Sequence, residues 1–449
     1  MRFVKIILKF IAGLVLVIFA LLASMITTPD DTPLEQSTFY RDWKGIVSQA
    51  TVKAETGNDT LYAGWARVNF TPETPGPLAG YGKRRGRPYE QVHDSVYVRA
   101  VVLQKGSTLA AIVSADLLII PPTVTERLKE MLTPDDIAFE HIYLGATHTH
   151  NSVGGWGTGI SGLFFSGPYN PEVEVRIAEA IVESIRKASG YLAPASLTYR
   201  EALGNGLIKN RLVGDKGRID PEIRAFELTR QDQQKLTFTS FGAHSTVLSS
   251  RTMQLSRDWP GVLVDSLDRE SGSFGMYMAG AVGSMGPIEE GETDLIAMAN
   301  EGNRVYQALK KGVYDSTLTS PILTPLTLPL PLGDPRPRLT DDWALRSWVF
   351  NRAFGEFPNN VKALRLGNIL LVGVPCDFSG ELMEEIDRYA KTRGLNLIVT
   401  SFNGGYMGYV TDDRWYDLNE YETVTMNWFG PYKGTYFKEV IRDLVELLD

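Results

Sequence analysis

Val98-Arg99-Ala100-Val101-Val102-Leu103, a polar turn, and then Leu109-Ala110-Ala111-Ile112-Val113, closing on Ala115-Asp116, is the stretch from which the fold can be read. Both runs are crowded with β-branched and apolar residues, which predicts a hairpin of two β-strands. An amphipathic pattern over 124–131 predicts a helix, and Ile142-Tyr143-Leu144 a strand that leads to His148. The layout returns further on. Strand-like runs over 361–366 and 369–374, with Gly367-Asn368 as a tight turn, close on Cys376-Asp377. A helix over 380–390 and a strand over 397–400 then lead to Tyr409. His148 follows Asp116 by thirty-two residues, and Tyr409 follows Asp377 by the same interval. Between these units, runs over 223–229 and 236–241 form another hairpin, closing on Ala243-His244. Each hairpin therefore delivers a polar side chain just past its second strand. Strands alternating with helices predict an α/β (mixed α+β) protein, with mixed sheets flanked by helices and a degenerate internal duplication around one metal site. The proline-rich stretch 320–338 predicts an edge strand or a crossing loop, since proline removes a ladder donor.

His148-Thr149-His150 carries two of only five histidines in the chain. In an extended segment, residues i and i+2 share a face, so two imidazoles project together. That arrangement suits a metal ion, and equally a hydrogen-bonded pair. The chain has 449 residues, a net charge of −8 and a single cysteine, Cys376. The acidic balance and the lack of a basic stripe speak against nucleic acid. The local run Lys83-Arg84-Arg85-Gly86-Arg87 reads as a solvated loop, or as a contact for anionic lipid headgroups.

Arg2, Lys5 and Lys9 precede an uncharged run from Phe10 to Ile26. The run predicts a signal anchor or signal peptide over 1–27, with the basic end held inside and the rest exported. A polar tether over 28–60 and a catalytic domain over 61–449 are expected to follow. The location is then the periplasmic or extracellular face of a membrane, or the medium if the segment is cleaved. No protein partner is evident.

The polar words after the strands resemble those of the neutral ceramidase family (neutral/alkaline, non-lysosomal). They are Ala146-Thr147-His148-Thr149-His150, Asn210-Arg211, His244-Ser245-Thr246 with Ser256-Arg257-Asp258, Pro375-Cys376-Asp377-Phe378-Ser379, Tyr409-Val410-Thr411, and Tyr421-Glu422 before Phe429-Gly430-Pro431. Their order and rough spacing agree over 64–435. The resemblance implies hydrolysis of the amide bond of N-acylsphingosines with one Zn2+ ion. It makes His148 and His244 metal ligands, with Asp377 where the family has a ligating glutamate and Tyr409 where it has a ligating tyrosine. It makes His150, Arg211 and Tyr421 the residues that contact the scissile group or the substrate. A cation held by two neutral imidazoles and one carboxylate keeps a positive charge that acidifies water. His150 is then expected to protonate the leaving amine, and Arg211 or Tyr421 to stabilise the oxyanion. Tyrosine is an uncommon zinc ligand, so Tyr409 is alternatively a hydrogen-bond donor beside the ion.

Two departures stand out. Gly286, in Gly283-Ser284-Met285-Gly286-Pro287, occupies the family's pocket-serine position, which puts any serine-dependent step in doubt unless Ser284 compensates. The chain also stops soon after the tyrosine words, where larger members carry a C-terminal β-sandwich. Around the expected ligands, Asp116 orients His148 or caps the next helix, and Asp258 orients a ligand or caps a helix over 261–267. The glycine-rich loop 154–167, with its aromatics, reads as a lid over an acyl chain or as an ordered loop filling the core. The leading expectation is a membrane-anchored zinc amidohydrolase of an N-acyl lipid, ceramide first. The alternatives are a zinc hydrolase of another envelope amide or ester, and a non-catalytic envelope binding protein that keeps the fold.

Overall fold

A computed structural model describes residues 2–52, 60–315, 322–356 and 358–449. A nine-stranded mixed sheet comprises β1 (Tyr62–Asn69), β2 (Tyr97–Lys105), β3 (Thr108–Ala115), β4 (Ile142–Ala146), β5 (Ala193–Leu203), β6 (Glu222–Arg230), β7 (Lys235–Phe241), β8 (Ser273–Ala279) and β9 (Val313–Asp315). Its spatial order is β8-β7-β6-β5-β1-β2-β3-β4, with β9 paired to β5. A second sheet runs β10 (Leu323–Pro329), β11 (Asn360–Leu366), β12 (Ile369–Gly373), β13 (Asn396–Thr400). β10 pairs only with β11, so Pro325 and Pro329 sit on an edge strand as the sequence requires. Residues 320 and 321 of the proline-rich stretch lie outside the described residues.

The two sheets pack face to face because their strands are apolar on both sides. Val101, Leu103 and Ile112 meet Leu364, Leu366, Ile369 and Leu371 between the sheets. The alternate residues Ala100, Val102, Ala111 and Val113 face outward onto α3 (Pro122–Met131) and α5 (Pro171–Ser189). α6 (Asp258–Asp268) and α7 (Asp294–Lys310) cover the other half of the large sheet. α9 (Met383–Thr392) and α10 (Lys433–Leu448) cover the small one. The layers are therefore helix, sheet, sheet, helix, and each fully buried Val, Leu or Ile contributes about 1.5–3 kcal/mol.

The expected duplication is real in layout and goes one step further. β2-β3-α3-β4 is a hairpin, a helix and a strand parallel to β3. β11-β12-α9-β13 repeats it, with Gly367 at φ +64° in the two-residue turn. β6-β7-α6-β8 is a third copy, whose final strand lies parallel to β7. In all three, the second and fourth elements end on the same side, and polar residues follow there.

The stretch expected to be a polar tether contributes to the fold. α2 (Thr38–Gln49) buries Trp43 completely, and its indole donates to Asp443 of α10 at 2.8 Å. Residues 53–59 lie outside the described residues. Ahead of α2, α1 (Arg2–Met25) is exposed over residues 3–24. Its 24 residues span about 36 Å, enough for a hydrocarbon core of about 30 Å.

Candidate metal centre and its cavity

Three imidazoles meet where the hairpin units converge. The His148 and His244 Nε2 atoms are 2.8 Å apart, and His150 Nε2 lies 3.2 Å from His148 Nε2. Asp377 Oδ1 is 3.5 Å from His148 Nε2 and 3.8 Å from His244 Nε2. The expectation that 148 and 150 project together from an extended strand fails in its mechanism. β4 ends at Ala146, and His148 takes a left-handed φ of +61°. That turn brings His148 Nδ1 to the Leu118 carbonyl at 2.6 Å and stacks the ring on Phe402 at 3.9 Å. The imidazoles meet nonetheless, edge to face at 4.8 Å.

Backbone carbonyls only accept, so the Nδ1 atoms of His148 and His244, which face Leu118 and Val282 carbonyls, carry the protons. Both Nε2 lone pairs then point at each other across 2.8 Å, a repulsive arrangement unless a cation or proton lies between them. Asp377 is fully buried, yet its Oδ1 has no hydrogen-bond partner among the described residues. Leaving a buried carboxylate oxygen unpaired is costly. A metal ion satisfies all of these atoms: ligands on a tetrahedral ion with bonds of about 2.0–2.1 Å lie about 3.3 Å apart. The donors therefore fit a metal. Burial lowers the His148 pKa to about 3 and holds His150 and His244 well below the usual value, which leaves the neutral imidazoles that ligation needs. Burial pushes Asp377 up to about 7, against the Tyr406 hydroxyl and the Arg211 charge, which lower it.

The surrounding groups are tied to one another. Asp377 and Tyr409 sit side by side in a short parallel strand pair. The Tyr406 hydroxyl donates to Asp377 Oδ2 at 2.8 Å. Arg211 donates to the Tyr409 hydroxyl at 2.9 Å and to Glu422 at 2.8 Å, and Glu422 also accepts from the Ser284 N–H at 2.9 Å. Tyr406 and Glu422 were given no role by the sequence. Tyr406 stood in the sequence only as one of a cluster with Tyr409 and Tyr421, and Glu422 only as part of the word Tyr421-Glu422.

The other candidates fall elsewhere. Asp116 neither orients His148 nor caps α3: its carboxylate accepts from Tyr97 N–H at 2.8 Å, and α3 begins after Pro121. Asp258 is the first residue of α6 and does not reach His244. It accepts from the Leu248 and Trp259 N–H groups and so pins the loop after His244, while the Trp259 indole donates to the His244 carbonyl at 3.2 Å. Ser284 cannot stand in for a pocket serine. It is fully buried, and its hydroxyl accepts from Ser379 at 3.0 Å. A Cβ on Gly286 would lie 3.5 Å from Arg211 Cδ, so a serine there would fit.

A cavity of about 380 Å³ opens above the cluster. His148, His150, Tyr409 and Tyr421 form part of its lining. Leu118, Trp156, Phe165, Leu330, Phe350, Phe354, Met426, Trp428 and Phe429 supply apolar wall. The loop expected as a lid contains α4 (Gly159–Ser166), which packs on α8 (Ser347–Phe354) through the Ser161 hydroxyl and the Ala353 carbonyl.

No protein-family model matches the chain. A neutral ceramidase of Mycobacterium tuberculosis is 26% identical over 223 residues, which cover 45% of this chain and 34% of that protein. The match thus spans about a third of the curated relative's length. The crystal structure of neutral ceramidase from Pseudomonas aeruginosa superimposes with a TM-score of 0.74 at 16% identity, over 87% of this chain and 74% of that one. A ceramidase complexed with C2 superimposes with a TM-score of 0.75 at 16% identity, over 87% of this chain and 75% of that one. The fold is that of a neutral ceramidase. The neutral ceramidase resemblance read in the sequence thus holds in both sequence and fold, and a buried histidine group able to bind a metal sits within that fold.

Proposed function

We propose that the chain hydrolyses the amide bond of an N-acylated lipid, ceramide first, with zinc held by His148, His244 and Asp377 and with Tyr409 beside them. The observation that supports this most is a buried donor cluster beneath an apolar cavity, which His148, His150 and Tyr409 help to line, in a neutral ceramidase fold. When bound, zinc would supply Lewis acidity to the carbonyl and acidify water. The residues do the rest. The apolar wall takes an acyl chain and keeps bulk water from it. Tyr421 lines the cavity and is the hydroxyl donor for the developing oxyanion. Arg211 is a positioning residue, since its Nε and one terminal nitrogen are taken by Glu422 and Tyr409. His150 is assigned to proton transfer: it reaches His148, whereas both His148 and His244 also reach Asp377 within 4.0 Å. His150, neutral at rest, takes a proton from the attacking water and hands it to the leaving amine as the C–N bond breaks.

α1 serves as an uncleaved anchor in this reading, with the catalytic domain (61–449) on the exported face. The test is an assay of the full chain in detergent on a panel of N-acyl lipids, with elemental analysis alongside. Turnover of ceramide with about one zinc per chain is expected. Turnover of short amides or esters but not ceramide would point to a different envelope substrate. Absence of both metal and turnover would leave a binding protein.

A further inference from the structure

The mouth of the cavity carries an apolar and basic rim of its own. α4 contains no charged residue, and Ile160, Leu163 and Phe164 are 74%, 55% and 58% exposed. Such side chains grouped on one short helix are an unusual surface for a protein in water. The basic loop packs against this helix: a Cβ on Gly82 would lie 2.3 Å from the Phe164 ring. Lys83, Arg85 and Arg87 of that loop are exposed, within a chain whose net charge is −8. Across the mouth, α8 packs on α4, and Phe350 and Phe354 of α8 line the cavity.

The end of α1 is fastened to that same α8. Ile26 and Thr27 pair with Leu345 and Ala344 as a short antiparallel ladder, just ahead of α8. The Arg346 N–H donates to the Met25 carbonyl at 2.9 Å, and the Trp348 indole to the Ser24 carbonyl at 3.3 Å. A spanning helix tied by its last residues to one rim of a cavity brings that rim to the bilayer. α4 packs directly on α8, so its apolar residues and the basic loop against it are brought towards the bilayer with that rim.

We infer that the cavity mouth rests on an anionic lipid bilayer, with Ile160, Leu163 and Phe164 inserted among the acyl chains and Lys83, Arg85 and Arg87 at the headgroups. This seating lets an N-acyl lipid pass from the leaflet into the cavity along an apolar wall. The inference rests on α1 being an anchor, and does not depend on the identity of the substrate.

Cys376, the single cysteine, is buried, so a spin label on an introduced cysteine reports on that site alone. Full-length protein carrying Leu163→Cys, Leu14→Cys or Val313→Cys is reconstituted into phosphatidylcholine vesicles containing phosphatidylglycerol. Collisions with oxygen and with an aqueous nickel chelate are compared by EPR. Val313 is the control, since it is 76% exposed and apolar but sits on β9 of the large sheet. Labels at 14 and 163 should favour oxygen, and the label at 313 nickel. Lys83→Glu/Arg85→Glu/Arg87→Glu should raise nickel access at 163 at least twofold. A label at 163 as open to nickel as that at 313, while 14 is protected, overturns the seating and leaves the anchor intact. A label at 14 open to nickel overturns both. Should Leu163→Cys misfold, Ile160→Cys carries the same test.

Discussion

At the level of single residues, the neighbours of each donor in the candidate centre hold it in one chemical state. His148 and His244 spend their Nδ1 protons on main-chain carbonyls, which leaves both Nε2 atoms free to ligate. His148→Ala or His244→Ala is therefore expected to lose both bound metal and hydrolysis, as read by elemental analysis and turnover. His150→Ala is expected to lose rate while keeping most of the metal, and an empty centre in that variant would move His150 into the ligand set. Glu422 joins Arg211 to the backbone of Ser284. Glu422→Gln puts an amide where two donors already point. It should lower kcat/KM by about 10–100-fold at unchanged metal content, the usual scale for a partner of a ligand's neighbour. The histidines were legible in the sequence. Glu422 and Tyr406 were not, because a buried glutamate and tyrosine carry no periodic signal and gain meaning only through what they touch.

At the level of elements, each hairpin–helix–strand unit ends its parallel strands at one level, which is how residues 148, 244 and 377 come together. The sequence showed two of these units clearly. The third was half hidden: its helix was expected over 261–267, and its last strand went unread because Ser273 to Ala279 includes a glycine and two methionines. Gly275 is required there by the close approach of the Val264 carbonyl, 2.8 Å from where a Cβ would sit. α7 holds a strained group of a different kind. Glu301 is buried with neither carboxylate oxygen hydrogen-bonded among the described residues, and Arg304 is 4.0 Å away. Burial raises its pKa from 4.5 to about 8. The folded chain thus holds a proton that the unfolded chain releases, and stability should fall as pH rises from about 5 to 8. Glu301→Gln should match the parent at pH 5 and exceed it by roughly 1–3 kcal/mol at pH 8.5 in urea denaturation. Equal destabilisation at both values would show that the carboxyl is not held neutral.

At the level of the molecule, the candidate ligands come from all three units and both sheets, so a bound ion would cross-link the fold. Removing metal with a chelator should lower Tm by at least about 2 °C, and zinc should restore it where magnesium does not, since imidazole donors suit zinc. The N-terminal region bears on the same scale. Its polar composition suggested a tether, but Trp43, Lys44 and Phe39 dock α2 on α10 through Asp443 and Tyr436.

What the sequence determined by itself is what local pattern encodes: β-rich strands, the hairpins between them, an apolar N-terminal run long enough to cross a membrane and the polar words that follow each strand. Those signals are short-range, since strand burial and turn chemistry are set by residues within a few positions of one another. What only the tertiary structure decided is which polar side chains share one space. Asp377 faces His148 and His244 while Asp116 does not, Ser284 is turned away from the cavity, and Arg211 is occupied by Glu422 and Tyr409. Those outcomes depend on sheet packing and on left-handed backbone at His148, set by contacts between residues hundreds of positions apart.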